Sequence, residues 1–217
     1  MRITARPTDL DALVQRVHSL LAGCADDRVL IGIAGAPGAG KSTLTDHLAA
    51  ALHGAGVSCA VVGMDGFHLA QAELDRLGRA ERKGAPDTFD AHGYLALLHR
   101  LRAEREHAVY APQYVRGAVE QPIGSAVPVH PGVQVVLTEG NYLLLADPPW
   151  HQVAAALDEV WFLRTGERAR RERLLARHLA GGKSEEQALV FTDGSDAANA
   201  RVVEATAARA DLMIELA

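Results

Sequence analysis

Cysteine is nearly absent from this 217-residue chain, which holds only Cys24 and Cys59. Two thiols so far apart fit neither a metal-site spacing nor a secreted disulfide scaffold, so a reducing compartment, the cytoplasm, is expected, with both thiols buried and inert. Long apolar runs are missing too. No stretch reaches 18 apolar residues, and Met1–Leu10 carries charges and Pro7 instead of a basic start followed by an apolar run. Neither a membrane span nor an export signal is therefore expected. Basic charge is not in excess: 22 Lys+Arg face 27 Asp+Glu, a formal charge of −5. That removes the broad attraction on which nucleic-acid and anionic-membrane binders depend, so neither is expected as a partner; a small, locally neutralised anion is. With 48% apolar residues there is no compositional case for disorder, and the length suits one domain, 1–217, around one large core.

What is present alternates. Apolar positions Leu10, Leu13, Val14, Val17, Leu20 and Leu21 follow a helical rhythm behind the potential caps Thr8 and Asp9 and stop near Gly23. Five short, apolar, β-branched runs read as buried strands: 29–34, 57–64, 133–138, 159–163 and 212–216. Helical stretches are expected over 41–53, 69–77, 91–102, 167–179 and 195–208. Strands alternating with helices imply βαβ units and a parallel sheet covered on both faces, an α/β fold. Residues 105–132, with four prolines and three glycines, break the rhythm and read as a hairpin-like excursion over the sheet edge.

The run Gly35-Ala36-Pro37-Gly38-Ala39-Gly40-Lys41-Ser42 matches Gly-x4-Gly-Lys-Ser/Thr without a gap. It follows a predicted strand and opens a predicted helix, as its physics requires. Glycines let backbone N–H groups wrap a phosphate, and the helix adds the positive end of its dipole. Lys41 is expected to reach the β- and γ-phosphates of ATP, Ser42 to offer its hydroxyl to Mg²⁺, and Thr43 to hold the α-phosphate. By itself this P-loop does not separate a kinase from a GTPase switch or a motor ATPase.

The second predicted strand ends in Met64-Asp65-Gly66-Phe67-His68, which puts Asp65 where ligands gather in open α/β sheets. From position alone Asp65 reads either as a general base for an acceptor hydroxyl or as a turn cap. Further along lie Arg82-Lys83-Gly84-Ala85-Pro86-Asp87-Thr88-Phe89-Asp90 and Glu139-Gly140-Asn141-Tyr142-Leu143-Leu144-Leu145. Together with the P-loop, these ordered motifs resemble the phosphoribulokinase/uridine kinase/type I pantothenate kinase family of P-loop kinases, nearest to its small bacterial fructose-transport-associated branch. The likeness runs over residues 28–216.

The resemblance implies an ATP- and Mg²⁺-dependent kinase that phosphorylates a hydroxyl of a small metabolite. It implies a three-layer α/β/α sandwich whose five strands stand in the order 2-3-1-4-5. It makes Asp65 the catalytic base and places Phe67, His68, Lys83 and Asp90 by the acceptor, beside Tyr114 and Arg116 from a covering hairpin. Glu139 would join Ser42 at the metal, Asn141 and Tyr142 would touch substrate, and Asn199 would sit near the adenine. A lid over 164–182 carries six arginines, of which Arg173 and Arg177, with His178 beside them, are expected to reach the phosphates. Gly181-Gly182 would be its hinge. Asp-Gly-Phe-His stands where uridine kinases usually have Asp-Ser-Phe-Tyr, and the chain is much shorter than pantothenate kinase. A sugar or polyol acceptor is therefore expected ahead of a nucleoside or pantothenate. A switch ATPase without acceptor is the reading from another class; a GTPase would need Asn-Lys-x-Asp, which the sequence lacks.

Overall fold

The computed structural model describes residues 2–3, 10–24, 28–115 and 121–216. In chain order its elements are β1 (Arg2–Ile3), α1 (Asp11–Gly23), β2 (Val29–Ala34), α2 (Lys41–Gly54), β3 (Cys59–Gly63), α3 (Gln71–Arg76) and α4 (Ala91–Ala103). Then follow β4 (Val109–Val115), β5 (Gln121–Val129), β6 (Val135–Gly140), β7 (Glu159–Arg164), α5 (Glu167–Ala180), α6 (Glu185–Phe191), α7 (Ala197–Glu204) and β8 (Leu212–Glu215). Thr8, Asp9 and Arg116, each given a role from the sequence, lie outside the described residues.

The sheet runs β1-β8-β7-β2-β6-β3, and every pair is parallel. The five strands expected from the sequence keep the predicted 2-3-1-4-5 arrangement. The difference is a sixth strand, β1, which pairs Arg2 with Met213 and Ile3 with Ile214 beside β8. Two residues are too few for a hydrophobic period to reveal.

Side chains along β2 alternate between two cores. Val29, Ile31 and Ile33 face Leu13 and Val17 of α1 and Leu44, Leu48 and Leu52 of α2. Leu30 and Ala34 face α4, the 142–157 stretch and α7. The sheet is thus covered on both sides, which is why the strand sequences are apolar throughout. Each fully buried Leu or Ile stabilises the fold by about 1.5–3 kcal/mol. Among the charged side chains buried here, the Arg28 guanidinium donates to the carbonyls of Leu101 (2.6 Å), His130 (2.9 Å) and Val133 (3.0 Å), fastening the end of α4 and the approach to β6 to the foot of β2.

The excursion is an antiparallel hairpin, β4 with β5, whose register shifts between Ala111 and Gln113. Val109, Ala111 and Val129 plug into the core and seat it against the turn that follows β3. Where one helix was expected over 195–208, the chain forms α6, a π-helical turn over Thr192–Asp196 and then α7. Ser184 and Gln187 make the reciprocal cap that starts α6. Among the described residues no helix is long and apolar enough to cross a membrane. The ends of β2, β3, β6 and β7 all open on one side of the sheet, and the site is assembled there.

Candidate functional site

Gly38 (φ 76°) and Gly40 (φ 96°) adopt left-handed backbone that turns β2 sharply into α2. No side chain caps α2, so its first N–H groups and its dipole are directed at the loop's hollow. Lys41 is buried and folded back: Nζ donates to the carbonyls of Gly35 (2.9 Å) and Ala36 (3.3 Å) and to Asn141 Oδ1 (2.7 Å). The loop is braced from behind by the segment leading into and along α5. Thr165 Oγ1 donates to the Ala39 carbonyl (2.8 Å), buried Arg170 Nη1 to Pro37 (3.1 Å) and Arg173 Nη1 to Ala39 (3.2 Å).

Glu139, at the end of β6, meets Ser42 across the loop: Ser42 Oγ donates to Glu139 Oε1 at 3.0 Å. Two hard oxygen donors converge there, and among the described residues there is no group of three His, Cys, Asp or Glu that would hold a metal unaided. That donor set suits Mg²⁺ completing its shell with phosphate and water rather than a closed protein cage.

A cleft of about 880 Å³ extends from the P-loop. Gly38, Gly40, Lys41, Ser42 and Thr43 form one wall, and Pro37 borders it. Gly35, Ala36 and Ala39 lie behind that wall, where Ala36 and Ala39 are buried. Glu139 and Asn141 line the cleft next to it. Asp65, His68, Lys83 and Tyr114 also line the cleft, with Asp65 held in a tight turn (Met64–Phe67) straight after β3. The His68 ring lies 4.0 Å from Phe89 and 4.6 Å from Tyr114, with Nδ1 2.8 Å from the Asp65 carbonyl oxygen. Lys83 Nζ stands 5.9 Å above the Tyr114 ring. Arg173, Arg177, His178 and Asn199 line the cleft as well.

Three expected acceptor contacts are placed elsewhere. Phe67 packs on Tyr94 (5.3 Å between centroids) under the turn. Asp90 is the N-cap of α4, accepting from the Gly93 N–H at 2.8 Å, and does not line the cleft. Tyr142 has no exposed surface; it is wedged against Phe89 and Trp150 and donates its hydroxyl to the Gly84 carbonyl. Burial, and then the negative charge of Asp65, push the Tyr142 phenol above its ordinary range, so it stays a donor.

Sequence reading passed over Thr165 and Arg170, which brace the P-loop, and Asp196. In the π turn, Asp196 Oδ2 lies 2.7 Å from His178 Nε2 and Oδ1 3.9 Å from Arg177, while Asp193 accepts from Nε and Nη2 of Arg171, each at 2.7 Å. A run of six arginines has no internal mark that separates inward from outward members. The π turn leaves none either.

Among known proteins, the family model for the methylmalonyl Co-A mutase-associated GTPase MeaB matches residues 5–68, the stretch holding the P-loop and ending just past Asp65. That match covers well under half of the chain and reflects the nucleotide cradle. Whole-length likeness lies elsewhere. A Schizosaccharomyces pombe protein described as a candidate uridine kinase is 35% identical over 214 residues, 94% of this chain and 89% of that protein. The uncharacterised Escherichia coli protein YggC is 33% identical over 87% of this chain and 78% of its own length. A crystal structure described as a candidate fructose transport system kinase, from Silicibacter sp. TM1040, superposes with a TM-score of 0.86 at 40% identity, covering 94% of this chain and 98% of that one. The phosphoribulokinase of Rhodobacter spheroides shares the fold, with a TM-score of 0.62 at 13% identity. On this evidence the chain belongs to the family of P-loop kinases that includes uridine kinase and pantothenate kinase, phosphotransferases with a hydroxyl group as acceptor.

Proposed function

We propose that this kinase moves the γ-phosphoryl group of ATP, with Mg²⁺, onto a hydroxyl of a sugar or polyol. The observation that carries the reading is the cleft itself: Asp65, from the turn after β3, lines the same cavity as Lys41 and Ser42 of the phosphate nest. Asp65 would take the proton of the attacking hydroxyl, while the amides from Gly38 to Ser42 hold the transferred group in line. Lys41 would exchange its two P-loop carbonyls for phosphate oxygens. Ser42 and Glu139 would hold Mg²⁺, which supplies charge neutralisation across the β- and γ-phosphates. Thr43 would hold the α-phosphate, and Asn199 would mark the nucleotide's base end. Arg173 is fastened to the P-loop and would act in place; Arg177, further along α5, would swing in from Asp196, with the two glycines after α5 as the hinge.

A sugar or polyol is favoured over a nucleoside or pantothenate by the fructose-transport description of the relative at 40% identity and by the His68 ring packed at a tilt against Phe89 and Tyr114 beside Lys83. Such an apolar wall with polar groups at its rim suits a small polyhydroxy ligand. Cys24 and Cys59 are both free thiols, in keeping with work in the cytoplasm, although each is partly exposed and not buried as the sequence had suggested.

Asp65→Asn tests the assignment, because it keeps shape and loses basicity. ATP affinity is expected to persist while turnover falls by roughly 10²–10⁴-fold. Lys41→Ala should damage both. Full turnover by Asp65→Asn would remove the general-base role.

A further inference from the structure

We propose that Gly66 and Pro112 are positioning residues: because Gly66 carries no Cβ, the β4–β5 hairpin settles directly on the backbone of the turn that holds Asp65, and this contact fixes the base relative to Tyr114. The inference rests on the reading above that Asp65 activates the acceptor hydroxyl, and it deepens that reading.

The turn is gripped from the sheet and from α4. Met64 is fully buried and lies over Gly140 so closely that a Cβ built there would stand 2.6 Å from Met64 Cβ and 2.7 Å from its Sδ. Phe67 packs on Tyr94, and its carbonyl accepts from the Asp90 N–H at 2.8 Å. The Thr138 hydroxyl gives its one proton to the Val62 carbonyl (2.6 Å), so Tyr94 donates to Thr138 Oγ1 (2.6 Å) and ties α4 to β6 beneath the turn. The Asp65 carbonyl accepts from His68 twice, from its backbone N–H at 3.1 Å and from Nδ1 at 2.8 Å.

The hairpin supplies the remaining grip. Gly66 is buried, and a Cβ built on it would run into the Pro112 carbonyl oxygen and stand 2.7 Å from the carbonyl carbon and 3.2 Å from the Gln113 nitrogen. These are backbone atoms, which cannot rotate away as the tip of a side chain can. Pro112 also marks the place where the ladder is irregular: Ala111 pairs with Val127 and Gln113 with Ile123, so Pro112 faces the stretch from Gly124 to Ala126. A proline has no N–H to give such a ladder, and here its carbonyl lies against Gly66. Two residues further on, Tyr114 lines the cleft and sets its ring 4.6 Å from that of His68.

The hairpin therefore meets the turn twice, by backbone at Gly66 and by a ring at His68, with Asp65 directly before the first contact. Ordinary contact begins at 3.4 Å, so a side chain at position 66 must part the two backbones by about 0.7 Å or more. The turn is held by β6 and α4, so the hairpin is the part that lifts, and it takes Tyr114 away from His68 and Asp65. A misplacement approaching 1 Å between reacting groups costs up to about 10²-fold in rate. Nothing in this displacement touches the P-loop, so the nucleotide should be held as before.

Gly66→Ala in the full-length protein tests this with two readouts. One is transfer of label from γ-labelled ATP to a mixture of D-fructose, D-ribose, glycerol, uridine and pantothenate. The other is calorimetric titration with AMP-PNP and Mg²⁺, whose stoichiometry counts the nucleotide-binding molecules, so that turnover is expressed per folded molecule. Gly66→Ala is expected to lose about tenfold to a hundredfold in turnover while its AMP-PNP affinity stays within about twofold of wild type. Gly124→Ala adds a Cβ to the facing strand, where among the described residues no atom lies within 4 Å, and should keep wild-type turnover. If Gly66→Ala does not fold, Ala111→Val overpacks the buried part of β4, lifts the same strand from the core side and should show the same split. Wild-type turnover in Gly66→Ala, or an AMP-PNP affinity that falls in step with turnover, would overturn the positioning role and leave the kinase reading intact. A wild type that labels none of the five compounds would overturn the acceptor reading, and this inference with it.

Discussion

Gly38→Ala tests how the phosphate nest is built. At Gly38 φ is 76°, and an added Cβ would lie 2.8 Å from the Arg170 carbonyl oxygen and 2.9 Å from Leu174 Cγ. The left-handed backbone alone costs a side-chain-bearing residue about 1–2 kcal/mol. Overpacking against α5, whose backbone cannot step aside as a side-chain tip can, adds about 1–3 kcal/mol. The total is about 2–5 kcal/mol. Strain is relieved by lifting α5 from the loop, which lengthens the Arg170–Pro37 and Arg173–Ala39 hydrogen bonds and loosens the nest. AMP-PNP affinity should therefore fall by about tenfold or more, equivalent to about 1.4 kcal/mol. Gly56→Ala supplies the control: φ is 78° there, but nothing lies within 4 Å of the added Cβ, so only the backbone cost applies. Urea unfolding and calorimetric titration of both variants measure the two effects. Equal stability loss in the two, or unchanged affinity in Gly38→Ala, would refute the bracing of the P-loop by α5.

Two more outcomes concern groups elsewhere in the fold. Burial pushes the Cys59 thiol up to about 12, so at pH 8 only about one in ten thousand molecules carries a thiolate; a Cys24→Ser variant should show no fast reaction with a disulfide thiol reagent until it is denatured, and prompt native-state labelling would contradict this. Arg28→Met leaves the carbonyls of Leu101, His130 and Val133 without their donor and should lower stability by about 3–5 kcal/mol, about 6–20 °C in Tm by scanning calorimetry. A shift under about 2 °C would mean the guanidinium is dispensable.

Much of this was legible in the chain because local rules and global fold agree. The five apolar runs had to be doubly covered strands, and the loop from Gly35 to Ser42 had to follow one and open a helix. What was lost was lost for definite reasons. Two-residue β1 carries no period. Asp90 was read as a ligand although an aspartate directly before a helical run is the usual N-cap. Tyr142 was grouped with Asn141, but neighbouring residues leaving a strand face opposite ways, so an inward Asn141 sends Tyr142 into the core. Ser184 and Gln187 offered the capping-box spacing for α6 and were passed over, because Ala188–Phe191 is a continuous apolar run without helical periodicity. The π turn at 192–196, which aims Asp193 and Asp196 at α5, has no sequence signature.

Transfer of label from γ-labelled ATP, measured against a panel of sugars, polyols, nucleosides and pantothenate, tests the central claim most directly. Phosphate should appear on one class of alcohol, with nucleotide consumption rising severalfold over the rate in water, and a sugar or polyol should be that class. Slow release of inorganic phosphate at one rate, whatever alcohol is present, would contradict the account.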